Sequence, residues 1–165
     1  MIKSLFAVDQ NGGMGYNGSL PWKHNAADMS HFQKMTDGHV VVMGKNSWND
    51  KNMPKPLKGR TVYIASNSRV HHASKISGDL VLELLKIEKQ HPDQIVWVCG
   101  GPSILKACLK VTDEVVLTHF KGAYRYDTSI DIDTYLRGFT PVEATVSSDF
   151  KSTMVRYSPL FKRNT

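Results

Sequence analysis

The chain has 165 residues, two cysteines and a formal charge of +6. That length supports one core of ordinary size, and two cysteines exclude a disulfide-stapled scaffold. The basic balance favours anionic partners, but Lys and Arg are dispersed singly without interleaved aromatics, which argues against nucleic acid and leaves small polyanions.

No apolar run approaches a membrane-spanning length, and Asp9 cuts the N-terminal run too early for a signal peptide, so a cytoplasmic chain is expected. Cys99 and Cys108 read as reduced core residues. The histidines show no metal-ligand spacing, and no metal is expected.

Short β-branched runs alternate with helical patterns and no linker intervenes, so residues 1–165 read as one α/β domain. The first strand is Ile2 to Val8. A glycine-rich stretch follows, Gly13-Met14-Gly15-Tyr16-Asn17-Gly18-Ser19-Leu20-Pro21-Trp22. Gly13, Gly15 and Gly18 match the dinucleotide fingerprint in spacing, but that motif needs a helix opening at its last glycine and an acid after the next strand. Here Leu20-Pro21-Trp22 follows Gly18, and the next strand, His39 to Met43, ends in Gly44-Lys45. The stretch reads instead as a mobile glycine loop anchored by Pro21-Trp22. Helical spacing over Ala26 to Met35 carries Asp28, an acid among apolar positions, with Phe32 one turn on.

Further along, helices fit Lys45 to Asp50, Leu80 to Lys89 (capped by Asp79) and Pro102 to Lys110. Strands fit Thr61 to Ala65, Gln94 to Cys99 and Glu114 to Phe120. Two late strands, Thr140 to Ser147 and Thr153 to Pro159, have no helix between them and read as an antiparallel pair closing one sheet edge.

Ligands of open α/β sheets gather at the carboxyl ends of strands. Met43 leads there into Gly44, Lys45, Asn46 and Ser47; Ala65 into Ser66, Asn67, Ser68 and Arg69; Cys99 into Gly100, Gly101, Pro102, Ser103 and Ile104. Glycines for close backbone approach, helix starts, two cations and several hydroxyls together suit a pyrophosphate and a ribose phosphate. That profile favours NADPH over NADH.

The ordered set of Ala7, Gly15 through Leu20-Pro21-Trp22, Asp28-Met29-Ser30-His31-Phe32, Thr36, Val42 to Trp48, Pro56 to Arg60, Cys99-Gly100-Gly101 and Leu117-Thr118-His119 resembles the dihydrofolate reductase family over nearly the whole chain. The resemblance implies a central mixed, mostly parallel sheet of about eight strands flanked by about four helices. It also implies NADPH-dependent reduction of 7,8-dihydrofolate by a monomer that binds neither membrane nor nucleic acid.

By that resemblance Asp28 accepts the paired donors of a pterin edge, Thr118 hydrogen-bonds and orients Asp28, and Trp22 positions the water that protonates the substrate. Leu20 belongs to the same catalytic group, in the lid formed by Gly12 to Leu20. Leu5, Ala7, Met29, Phe32, Leu57 and Cys99 bind substrate, and Arg60 pairs with its glutamate carboxylate. Ala7, Gly15, Asn17, Gly18 and Ser19 flank the nicotinamide. Lys45, Asn46, Ser47, Ser66, Asn67, Ser68 and Arg69 hold the adenylate half, while Gly100, Gly101, Pro102, Ser103 and Ile104 line the pyrophosphate, Gly100-Gly101 through a cis bond.

The chain departs from the family pattern in several places. Five residues separate Trp22 from Asp28, the Lys51 to Lys55 loop is long, Cys99 replaces an aliphatic residue, and Leu105 replaces a tyrosine near the substrate. Two alternatives stand beside this reading: the riboflavin-pathway reductase of a ribosyl-pyrimidine phosphate, disfavoured by Asp28, Trp22 and Arg60, and a non-catalytic basic binding protein. An NADPH-oxidation assay separates them.

Overall fold

A computed structural model describes residues 1–23 and 25–164. In chain order the elements are β1 (Ile2–Val8), β2 (Gly13–Gly15), α1 (Ala26–Thr36), β3 (Val40–Gly44), α2 (Lys45–Trp48), β4 (Thr61–Ala65), β5 (Ser74–Ile76) and α3 (Leu80–Gln90). There follow β6 (Val96–Val98), α4 (Pro102–Cys108), a short 3-10 turn (Leu109–Val111), β7 (Glu114–Phe120), β8 (Thr128–Ser129), α5 (Ile132–Tyr135), β9 (Phe139–Val146) and β10 (Ser152–Pro159).

Eight strands form one sheet in the order β5-β4-β3-β6-β1-β7-β10-β9. The pairings from β5 through β7 are parallel, and β10 is antiparallel to both β7 and β9. The mixed, mostly parallel sheet and its antiparallel edge therefore match expectation. All residues of β3 and β6 are buried, which their continuous valine runs dictate, because such strands must be covered on both faces. Val40 and Val42 pack on one side with Phe6, Leu84 and Ile87, while Val41 and Met43 pack on the other with Trp48 and Leu57. This alternation follows from the two-residue side-chain period of a strand.

The helices follow their local signals. Asp79 caps α3 by accepting from Leu82 N at 3.2 Å, and Leu84 and Ile87 bury the inner face. Asn25 caps α1, its Oδ1 accepting from Asp28 N at 3.0 Å.

Four elements lie outside the sequence expectation: β2, β5, β8 and α5. The three strands are two or three residues long and hold few β-branched residues, so they lacked the alternation that marks a strand. Helix α5 did carry a signal, since Asp131 accepts from Thr134 N at 3.2 Å as its cap. Three expected elements are shorter than read: α2 stops at Trp48, α4 at Cys108, and β6 keeps only Val96–Val98.

Candidate active site at the carboxyl ends of the parallel strands

The carboxyl ends of β1, β3, β6 and β7 open into a cleft of about 470 Å³, walled by α1 on one side and by the starts of α2 and α4 on the other. It is the default ligand site of such a sheet. Apolar groups dominate its α1 end, where Met29 and Phe32 face Leu5, Ala7 and Cys99, and Asp28 is the acid among them.

Because Asn25 supplies the cap of α1, the Asp28 side chain is free of that duty. Among the described residues its carboxyl has no protein hydrogen-bond partner, and burial pushes it up to about 6. Thr118 lines the same cleft at the end of β7 and is buried, but no hydrogen bond joins it to Asp28, which corrects the expected pairing. Cys99 Sγ donates to Trp97 O at 3.7 Å, and burial raises its thiol to about 12, so it is an inert wall. His31 lines the cleft one turn beyond Asp28. Burial lowers its imidazole, and Nε2 has no partner among the described residues.

Trp22 lies beneath the cleft surface rather than on it. Its ring stacks on Phe120 at 4.2 Å between centroids, and its buried Nε1 has no partner among the described residues. An indole N–H that is buried without an acceptor is a donor waiting for water or ligand.

At the other end, Gly44, Lys45, Asn46 and Ser47 lead from β3 into α2, and Gly100 through Ile104 lead from β6 into α4. The two connections touch: Gly44 N donates to Gly100 O at 2.7 Å, and a Cβ on Gly44 would stand 3.2 Å from Ile104 Cγ1. The Gly100–Gly101 peptide is cis, as the resemblance implied. Both α2 and α4 start after glycine with no side-chain cap; α4 opens on Pro102, which has no N–H, so its donors begin at Ser103. A second hollow of about 240 Å³, containing Ser66 and Asn67, adjoins this end through Ala65 and Ile104.

Several expected residues stand elsewhere. Asn17 turns outward with φ 55, its N–H donating to Asp127 Oδ2 at 2.9 Å. Leu57 is core, packed with Met43 and Trp48. Leu105 is core too, 0% exposed, and does not line the cleft, although its neighbour Ile104 does. Arg60 is off the cleft, Nε donating to Lys58 O at 2.9 Å and one terminal nitrogen to Thr36 Oγ1 at 3.3 Å. Ser68 and Arg69 line neither hollow, although Lys45 Nζ reaches Ser68 Oγ at 2.6 Å. Leu20, Gly15, Gly18 and Ser19 do line the cleft.

Sequence reasoning missed Asp50, Asn52, Met53 and Pro54, which project into the cleft from the 49–60 connection, and Thr128, brought in by β8. No periodicity marks these loop residues. It also read Gly12 to Leu20 as a mobile glycine loop and lid, without a turn inside it. Tyr16 and Ser19 instead exchange backbone hydrogen bonds at 2.8 and 3.1 Å around Asn17-Gly18, whose φ values are 55 and 80. That is a two-residue hairpin, and an Asn-Gly pair is its strongest sequence signal.

A family model described as "Dihydrofolate reductase" matches residues 1–155. A viral dihydrofolate reductase of Saimiriine herpesvirus 2 is 31% identical over 82% of this chain and 72% of its own length. The dihydrofolate reductase of Mycoplasma pneumoniae is 28% identical over 95% and 96%. The fold also overlays on the Enterococcus faecalis enzyme, solved in complex with NADP(H) and RAB-propyl, with a TM-score of 0.81 and 20% identity over 96% of each chain. With that breadth of match, on a sheet whose strand ends build one acid-bearing cleft, the chain belongs to the dihydrofolate reductase family of NADPH-dependent oxidoreductases.

Proposed function

We propose that this cleft reduces 7,8-dihydrofolate to tetrahydrofolate, with Asp28 as the group that recognises and polarises the pterin. The observation that carries the reading is the Asp28 carboxyl: desolvated, raised to about 6, and unmatched by any protein donor among the described residues. A carboxylate in that state is an acceptor for a ligand presenting two adjacent N–H donors, and a folate pterin edge is such a ligand. Met29 and Phe32, both on α1, would bracket the ring and the benzoyl group along that wall of the cleft.

The chain's residues fit NADPH. Gly44 and Gly100 touch and a side chain at Gly44 would press on Ile104, the starts of α2 and α4 carry no side-chain cap, and Lys45 with Ser47 and Ser66 supplies a cation and hydroxyls. Bound there, the dinucleotide supplies the hydride that goes to the substrate's C6. The protein's own part is to orient the pterin through Asp28, to exclude water with the Tyr16–Ser19 hairpin, and to hold a water on Trp22 Nε1 for protonation at N5. Arg60 keeps guanidinium N–H groups beyond those bonded to Lys58 and Thr36, and these suit the glutamate carboxylate.

We further read the protein as a cytoplasmic monomer that binds neither membrane nor nucleic acid; no helix among the described residues is long and apolar enough to cross a membrane. The test is NADPH oxidation with dihydrofolate. Turnover that Asp28→Asn sharply lowers while NADPH affinity persists supports the assignment, and a wild-type protein that binds NADPH without oxidising it against dihydrofolate ends it.

A further inference from the structure

We propose that Glu83 is a specificity-determining residue that reads the 6-amino group of the cofactor's adenine in the hollow adjoining the cleft. The proposal rests on the NADPH reading of that end of the site.

The hollow of about 240 Å³ lies where the carboxyl ends of β4 and β5 meet the first turn of α3. Buried Ile76 and half-buried Leu80 and Ile104 give it apolar walls, while Asn67 and Ser77 are exposed polar residues of its lining. Apolar walls with a few polar groups suit a flat heteroaromatic ring. Glu83 is the one charged residue that lines the hollow. Its place follows from the helix. Leu84 and Ile87 turn into the core, and Glu83, three residues after Leu80, shares the flank on which Leu80 borders the hollow. The Asp79 cap fixes this first turn, its Oδ1 accepting from Leu82 N at 3.2 Å.

In a protein of charge +6, an acid beside a site for an anionic dinucleotide works against binding unless it accepts a hydrogen bond from the ligand. Lys86 Nζ donates to Glu83 Oε1 at 3.3 Å, whereas Oε2 has no hydrogen-bond partner among the described residues. A carboxylate with both oxygens free suits a pair of adjacent donors, as on a guanine edge. One with a single free oxygen suits a single donor, and adenine offers its 6-amino group. A purine with a carbonyl at position 6 instead sets two acceptors face to face. The same charge that repels the dinucleotide as a whole therefore selects its base.

The test measures equilibrium binding of NADPH and of deamino-NADPH, in which a 6-carbonyl replaces the amine, through the quench of tryptophan fluorescence. Wild type, Glu83→Gln and Glu83→Ala are compared. Wild type should bind NADPH about 5- to 20-fold more tightly than deamino-NADPH, the lower range for a hydrogen bond to a charged group at a partly open site. Glu83→Gln, whose amide accepts from an amine or donates to a carbonyl, should bring that ratio to within about 2-fold of unity, and Glu83→Ala should do the same. Damage to α3, or simple relief of charge repulsion, changes both affinities together and leaves the ratio as it was. A wild-type ratio near unity, or a ratio that both variants preserve, overturns the assignment. No dihydrofolate is present, so failure of the assigned reaction leaves this result intact; a wild-type protein that binds neither dinucleotide overturns the cofactor reading together with the role of Glu83.

Discussion

Lys45 Nζ donates to Ser68 Oγ at 2.6 Å, and Ser68 in turn shares a hydrogen bond with Ser66 Oγ at 3.2 Å, so the first residue of α2 is tied to the loop after β4. On the proposed reading, a cation bonded to the outer of two linked hydroxyls, beside the Ser66 hollow, would seat the 2′-phosphate that distinguishes NADPH from NADH. NADH should be a poor donor. Lys45→Ala should narrow the ratio of kcat/KM for NADPH over NADH by about 10- to 100-fold, the worth of one charge-assisted contact. Arg69 is exposed and lines neither hollow, so Arg69→Ala should change that ratio less than about 2-fold. Steady-state kinetics with both donors decides it.

Asp28→Asn exchanges half of the acceptor pair for an N–H donor facing the pterin's own donors. Hydride transfer should fall about 30- to 1,000-fold, corresponding to roughly 2 to 4 kcal/mol, and acid pH should restore part of it by supplying the N5 proton from solvent. Single-turnover rates from pH 5 to 9 test this, and equal rates at neutral pH would remove Asp28 from the mechanism.

The same substitution should stabilise the unliganded protein. Burial raises the Asp28 carboxyl from 3.8 to about 6, so between those values the unfolded chain is ionised while the folded one holds its proton. Folded-state stability is therefore full below about pH 4 and is lost as pH rises through 6. Discounted for the open cleft, the penalty above pH 6 is on the order of 1 to 3 kcal/mol. Asp28→Asn should exceed wild type by that margin in urea unfolding at pH 8, with the two curves converging at pH 4.

Arg60 is braced by Lys58 O and Thr36 Oγ1, off the cleft, and on the proposed reading it would hold the substrate's remote carboxylate rather than the reacting ring. Arg60→Lys should raise the KM for dihydrofolate several-fold while single-turnover hydride transfer stays near wild type. A pterin substrate lacking the glutamate should be indifferent to the change; equal losses for both substrates would refute the pairing.

Arg163 joins the two ends of the chain. It donates to both Asp113 oxygens at 2.9 Å and to Glu88 at 2.6 Å, while the Met1 ammonium stands 2.9 Å from Glu88. Arg163→Ala leaves two partly buried carboxylates without that partner and should cost about 1 to 3 kcal/mol at pH 7. The Arg163 and N-terminal cations hold the Glu88 carboxyl below its usual range, so its share of stability is present above about pH 4.5 and lost as pH falls through the lowered value. The gap between variant and wild type in denaturant midpoint should therefore close toward pH 3.

Much of the fold was legible because its evidence is local. Val40-Val41-Val42 cannot be other than a strand covered on both faces, and Asp79 announces the helix that follows it. At the site, Gly44 and the residues after Cys99 were found from their position at strand ends, whereas Ala7 and Thr118 came only from the family resemblance. Asp50 and Asn52 were not found, because a loop residue reaches the cleft by tertiary geometry that no periodicity encodes. The absent Thr118–Asp28 bond has the same origin: adjacency in a shared cleft does not fix side-chain distance. The Asn17-Gly18 turn could have been read and was not, since the glycines were read as the freedom of a mobile lid.

β1 pairs with β6 and β7 near the middle of the sheet, so the first strand to be synthesised needs partners that begin at Val96 and Glu114. An emerging chain must hold Ile2–Val8 unpaired until well over half of the polypeptide has left the ribosome. Its long-range parallel contacts close loops of roughly a hundred residues, the kind of ordering that slows folding and exposes apolar segments to association. Truncations that stop before Glu114 leave the central strand with one open edge, so closure of the sheet around β1 waits on the strand order itself.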